Sequence, residues 1–264
     1  MSSHRTFLSF FVFRHGEGLV KTAILVDGAF FIKRYKKLIS KDLEADKVAR
    51  AVVAASWRLI RKANKADYRQ RKLYRIFFYD CASAKYYAGP HPVTGKPYKI
   101  EEYGDYAFRD ELHKQLVGLR KVALRLGELH PKSGKWAISP SGLKKLKEGS
   151  KLDELEPEEV YYEVKQAGVD MRIGLDIASL SAAGDIDQIV LIAGDSDFVP
   201  AAKMARRNGI DFVLDPEWHT IRPELKEHID GLCSVFPKPG AGQKEIDGWL
   251  DPKQGNGQKK QKGK

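Results

Sequence analysis

The chain has 264 residues, two cysteines and a formal net charge of +11, from 46 Lys/Arg against 35 Asp/Glu. That length holds one sizeable core with room for an elaboration or a tail, and 42% hydrophobic with 10% aromatic residues excludes a chain without a core. Cys81 and Cys233 are too few and too distant for a disulfide scaffold or a cysteine-ligated zinc site, so each is expected as a free buried thiol in a cytoplasmic protein.

At the N-terminus, Thr6 to Phe13 is an apolar run behind His4-Arg5. Arg14, His15 and Glu17 stand where a signal-peptide cleavage site would lie, so residues 1–20 are read as an extension rather than an export signal. No run is long enough to cross a bilayer, so a membrane partner is not expected. Lys21 to Val26 is a short apolar strand running into Asp27-Gly28. Asp46 to Lys65 follows as an amphipathic helix with Asp46 at its N-cap. Val48, Val52, Leu59, Ile60 and Ala63 share one sector, and Lys47, Arg50, Arg58, Arg61, Lys62 and Lys65 share the other. Residues 33–75 hold 15 Lys/Arg against 4 Asp/Glu, and residues 252–264 add five lysines and no acid, leaving the rest of the chain net acidic. Concentrated positive charge of this kind attracts phosphate backbones. Arg50, Arg58, Arg61, Lys62 and Lys65 are therefore candidate nucleic-acid contacts, with a solvated outer helix face as the plainer reading.

Leu73 to Tyr79 is a second strand, ending at Asp80. Residues 81–105 have the Gly, Pro, Tyr and Lys content of a long exposed loop. Phe108 to Leu126 reads as a helix, Glu128 to Ile138 as a hairpin turning at Lys132-Ser133-Gly134-Lys135, and Leu143 to Lys147 as a short helix. About 81–160 is read as an insertion in the core. Val160 to Lys165 is a third strand, and a helix from Asp170 closes at Ala183-Gly184. Residues 188–193 form a fourth strand running into Gly194-Asp195-Ser196-Asp197. A helix from Phe198 to Asn208 has Pro200 in its first turn and Gly209 after its end. Ile210 to Leu214 is a fifth strand and Pro223 to Leu232 a last helix. Strands alternating with helices predict a three-layer α/β fold on a central, mostly parallel sheet. The domain is placed at 21–236, with a disordered basic tail over 237–264.

Ligands of such sheets collect beyond the carboxyl ends of the strands. Asp27, Asp195 and Asp197 end two strands there, and Asp170 begins the helix beside the fourth. Carboxylates crowded together repel, and a hard divalent cation relieves the cost. Held by such acids, one or two cations activate water and neutralise the leaving oxygen in phosphodiester cleavage. Each acid also has a plainer role, as a turn residue or helix cap. Around this set, Asp176 pairs at helical spacing with Arg172 or joins the site; Ser196 caps a helix or binds an acid or phosphate. Lys165 holds a phosphate or is a surface lysine, and Asp80 is a turn residue or a further ligand. A P-loop, a dinucleotide glycine motif, a serine-hydrolase elbow and histidine pairs at metal-ligand spacing are all missing from the sequence. His113, His219 and His228 read as surface or helix residues. Aspartyl-phosphate chemistry would need a second acid soon after Asp27, where Ala29 and Phe30 stand.

Three segments carry a resemblance: Ile24-Leu25-Val26-Asp27-Gly28; Lys165-Gln166-Ala167-Gly168-Val169-Asp170 with Asp176 beyond; and Gly194-Asp195-Ser196-Asp197-Phe198. In order and spacing they resemble the NYN domain, the PIN-like nuclease family that includes LabA-type bacterial proteins, over roughly residues 21–235. The resemblance implies a Rossmann-like PIN fold and a magnesium- or manganese-dependent ribonuclease, with Asp27, Asp170, Asp195 and Asp197 as metal-binding and catalytic acids. It implies RNA as partner, and nucleases of this class often pair as homodimers. Family members commonly carry Asn shortly after the first Asp, where this chain has Ala29 and Phe30, and their Lys-Gly-Val-Asp is lengthened here by Gln166 and Ala167. Two alternatives stand beside an RNase: a non-catalytic RNA-binding or regulatory protein on the same fold, and a structure-specific DNA nuclease.

Overall fold

The structure is a computed structural model that describes residues 19–67, 70–83, 85–102 and 106–250. The N-terminal extension up to residue 18 and the lysine-rich end from 251 lie outside the described residues. In chain order the elements are β1 (Val20–Asp27), α1 (Gly28–Leu38), α2 (Ala45–Asp67), β2 (Arg71–Cys81), β3 (Tyr87–Pro90), β4 (Pro97–Lys99), α3 (Tyr106–Val117) and β5 (Val122–Ile138). They continue with α4 (Pro140–Lys147), β6 (Val160–Ala167), α5 (Val169–Ala183), β7 (Gln188–Ile192), α6 (Val199–Arg207), β8 (Asp211–Asp215), α7 (Pro223–Lys226), β9 (Gly231–Leu232) and α8 (Gln243–Leu250).

Seven strands form one sheet in the order β6-β5-β2-β1-β7-β8-β9. Every pairing is parallel except β5 with β6. The α/β fold expected from strand–helix alternation is therefore the one adopted. β1 shows why its run is apolar throughout. Ile24 and Val26 face one core with Phe31, Tyr35, Val52, Leu59 and Leu116 of α1, α2 and α3. Ala23 and Leu25 face a second core with Ile173, Ile177, Ala202 and Ala205 of α5 and α6. A strand covered on both faces has no use for alternation.

This wrapping creates a switch point. From β1 the chain moves through β2 to β5 and β6 on one side, and later through β7, β8 and β9 on the other. Crossover helices α2 and α3 cover one face, α5 and α6 the opposite face. The crevice between β1 and β7, at their carboxyl ends, is where α/β sheets of this kind bind ligands.

Several local expectations give way. The helix expected over Phe108 to Leu126 is α3 alone; after Leu119 and a left-handed Lys121 (φ 67°), residues from Val122 join the sheet. Val122 to Gly127 pair in parallel with Ile76 to Cys81, so this stretch is core strand rather than insertion. No hairpin forms over 128–138: β5 runs on as one strand against β6, absorbing the turn-like residues as an irregularity between His130 and Lys135. Gly134 permits this, because a Cβ there would lie 2.5 Å from the Tyr162 ring and 2.8 Å from the Glu163 carbonyl oxygen. β6 is correspondingly an antiparallel edge strand. Nor is 81–105 simply exposed. His91, Tyr98 and Ile100 are buried, and His91 and Tyr98 pack on Trp136 at ring-centroid distances of 5.3 and 5.0 Å. The last expected helix is only the short α7.

The segment after 236 also differs from its tail-like composition. Ile246, Trp249 and Leu250 recur at helical spacing on α8 and pack on the α2 side of the core, with Trp249 8% exposed. The Trp249 indole donates to the Val235 carbonyl at 2.7 Å and meets Phe236 edge-on at 5.0 Å. Three apolar anchors are sufficient to order a Gly- and Lys-rich stretch when a prepared apolar face is available.

Candidate metal centre

Four acids approach the β1/β7 crevice from three elements. Val26 pairs with Ile192, so Asp27 stands one residue beyond that pair and Asp195 three residues beyond it, in the loop that follows β7. Asp27 caps α1, its Oδ1 accepting from the Phe30 N–H at 3.1 Å. Gly28 follows because a Cβ there would lie 2.6 Å from the Tyr79 carbonyl oxygen and 2.7 Å from the Phe78 ring. Crowding by β2, rather than a turn, selects this glycine. Asp195 caps the single 3-10 turn Ser196–Phe198, its Oδ1 accepting from the Asp197 N–H at 3.1 Å. Asp170 occupies the first turn of α5, behind Gly168 in a left-handed conformation (φ 79°).

The electrostatics link them. Burial first, then Asp170 and Asp80, push the Asp27 carboxyl up to about 6 from an ordinary 3.8, despite the bond from the Phe30 N–H. Asp170 is also raised, by burial and then by Asp195 and Asp197. Asp170 thus couples to Asp27 on one side and to the β7 loop on the other. Among the described residues no three His, Cys, Asp or Glu side chains stand in a ready-made ligand set. The donors present are all carboxylate oxygens, partly exposed and mutually repelling. They fit a hard cation that keeps several waters and takes few protein ligands, rather than an enclosing cage.

Other candidates have different work. Asp80, 1% exposed, accepts from Arg109 and from His113 Nε2 (2.9 Å), and its Oδ1 also takes the Cys81 N–H at 2.9 Å. It ties α3 to the end of β2, so it is neither turn residue nor free ligand, and His113 is the helix residue of its two readings, buried on α3 rather than at the surface. Asp176 pairs with Arg125 Nε at 3.0 Å and accepts from the Tyr79 hydroxyl at 2.8 Å. Its partners lie across on β5 and β2 instead of at Arg172 one turn back, because Ile173 and Ile177 turn that side of α5 onto the sheet. Burial and the adjacent Asp176 raise the Tyr79 hydroxyl, which stays a donor. Ser196 Oγ accepts from Arg222 Nη1 at 3.3 Å. The Lys165 side chain lies outside the described residues.

The basic face of α2 is partly spoken for. Arg58 lies 4.4 Å over the Trp249 ring and donates to the Trp249 carbonyl. Lys62 donates to the Ser234 carbonyl at 3.2 Å, and Arg50 pairs with Asp46. Arg61 is exposed, and the Lys65 side chain lies outside the described residues. Arg58 serves to seat α8.

Three residues given no part in the site from the sequence, Phe30, His219 and Arg222, stand beside the acids. The rings of Phe30 and His219 lie 6.1 Å apart and 3° from parallel. A Cβ on Gly194 would come within 2.4 Å of the Phe30 ring and 3.2 Å of His219. With Arg222 on Ser196, they place the loop after β8 on the rim of the acid loop. The position of His219 just beyond the end of a parallel strand was the available signal.

Residues 143–233 match the family model of the NYN domain. The match spans β6 to β9 and so contains Asp170, Asp195 and Asp197, while Asp27 joins them through the β1–β7 pairing. The NYN domain falls in the PIN-like nuclease superfamily, and the observed sheet with helices on both faces fits a PIN-like fold. A protein of unknown function from Vibrio parahaemolyticus, known from a crystal structure, is 14% identical, over 82% of this chain and 93% of that one, with a TM-score of 0.41. No curated protein matches. No described helix is long and apolar enough to cross a membrane.

Proposed function

We propose that this protein is a metal-dependent endoribonuclease hydrolysing RNA phosphodiester bonds at the β1/β7 crevice, in the cytoplasm. One observation carries the reading. Asp27, Asp170, Asp195 and Asp197 leave three different elements for one strand-end crevice, and burial and mutual repulsion raise two of them.

In this reading Asp27, Asp195 and Asp197 would hold the principal Mg²⁺ or Mn²⁺ ion, in part through its retained waters, and Asp170 would complete the site or serve a second. A bound divalent cation supplies charge neutralisation at the scissile phosphate and acidifies the attacking water. The chain's own residues position the chemistry. The two caps, Asp27 on Phe30 and Asp195 on Asp197, fix one oxygen of each carboxylate and leave the other directed elsewhere. An acid of this set orients the water.

Asp195→Asn tests the assignment. Asparagine keeps the capping oxygen and the exposed position but loses the charge. Cleavage of single-stranded RNA with added manganese should fall by at least two orders of magnitude, the scale of losing a principal electrostatic group, with thermal stability unchanged. Cleavage at the wild-type rate would overturn the reading. Running single-stranded RNA, duplex RNA and DNA side by side separates it from a DNA nuclease, and RNA affinity indifferent to EDTA without cleavage would favour a binding protein.

A further inference from the structure

The loop between β8 and α7 is built around two non-glycine residues in the left-handed region, Glu217 (φ 43°) and Trp218 (φ 62°). Such conformations persist where surroundings over-determine them, and they gather at ligand sites. Here the surroundings are explicit. Arg34 Nε donates to the Glu217 carbonyl at 2.8 Å, and the buried Glu217 side chain accepts through Oε2 from the Phe236 N–H at 2.9 Å. The Trp218 N–H reaches Ser234 Oγ at 3.0 Å, and its indole reaches the Phe236 carbonyl at 2.9 Å. A firmly pinned base therefore carries a tip, 218–220, that is exposed.

That tip lies against the acid loop. His219 is exposed, its ring parallel to Phe30, and both rings rest on the bare backbone of Gly194, one residue before Asp195. Phe30 is itself tied to Asp27 through the cap. Beside them Arg222, also exposed, holds Ser196 at 3.3 Å, and Trp218 is 39% exposed with Lys238 5.7 Å from its ring centroid. Exposed rings interleaved with cations, next to crowded carboxylates, suit a ligand with flat apolar faces strung on a phosphate backbone. Single-stranded nucleic acid is that ligand, since its bases are free to stack on side chains. A duplex keeps its base faces covered.

We propose that the 216–222 loop is the strand-binding rim of the site, with His219, steadied by Phe30, stacking a nucleobase of single-stranded RNA and Arg222 taking a neighbouring backbone phosphate. This rests on the ribonuclease reading and adds the selection of unpaired strands. Steadying the ring beforehand lowers the ordering cost of binding. Ser196 offers Arg222 only an uncharged acceptor on an exposed bond, which a phosphate oxyanion readily replaces.

The test is fluorescence anisotropy in EDTA with a labelled oligouridylate and a matching abasic strand. His219→Ala should weaken oligouridylate binding about tenfold, within the range for losing one base stack, and leave the abasic strand unaffected. His219→Phe should bind as the wild type does. Arg222→Ala should weaken both strands and lower the salt slope by about one. If His219→Ala binds oligouridylate like the wild type while Asp195→Asn still abolishes cleavage, the rim proposal falls and the nuclease reading stands. If His219→Ala weakens both strands equally, stacking is refuted. If the wild type binds neither strand and cuts no RNA, both readings fall together.

Discussion

Replacing Asp27 with Asn should make the protein more stable at neutral pH while abolishing cleavage. The Asp27 carboxyl is pushed up to about 6 from 3.8, by burial above all and then by Asp170 and Asp80. The native state therefore holds this proton more tightly than the unfolded chain does. Stability from this group is greatest below the unfolded value, declines as pH rises from 3.8 to about 6, and is level above that. Between those two values, at 1.36 kcal/mol per pH unit, the loss amounts to about 3 kcal/mol. This is an upper bound, because Asp27 is half-buried rather than enclosed. Asparagine cannot ionise, yet its side-chain oxygen still caps α1 as well as aspartate does. Urea denaturation of both proteins in EDTA, from about pH 4 to about pH 8, measures the difference. The advantage of the variant should grow from near zero at the acid end to as much as ~3 kcal/mol at neutrality. Manganese should then stabilise the wild type by mass action and leave the variant unmoved. A constant offset across the pH range would refute the argument, because the effect would then come from packing and not from charge.

Asp80→Ala should cost about 3–5 kcal/mol in thermal or urea unfolding, because it strands Arg109 and His113 beside a buried carboxyl site; a loss below ~1 kcal/mol would mean that Asp80 is not the anchor of α3. Trp249→Ala should likewise cost about 3–5 kcal/mol, by removing a buried indole and uncovering Arg58. Wild-type stability in that variant would return 237–250 to the tail.

The sequence by itself was enough for the class of fold and for the position of three acids at or just beyond the strand ends. Doubly covered strands must be apolar on both faces, and that pattern is visible in Ala23 to Val26 and Ile189 to Ala193 without knowledge of any partner. Acids immediately beyond such runs are placed at the strand ends by chain connectivity alone, so Asp27, Asp195 and Asp197 were legible. The helix face of α2 was legible for the same local reason. Tertiary structure decided whatever depends on a neighbour distant in sequence. The tail-like composition of 237–250 hides a helix because Ile246 and Trp249 have value only against α2. The turn chemistry near Gly134 was overridden by β6, and the residues from Val122 became strand because β2 had an open edge. Asp80 and Asp176 left the metal candidates once Arg109, His113, Tyr79 and Arg125 arrived from other elements. His219 gained its place in the opposite way, since the Gly194 backbone and the Phe30 ring that flank it come from the loop after β7 and from α1. Periodicity and connectivity are properties of one segment, whereas the partner of a charge or a ring is settled only when segments meet.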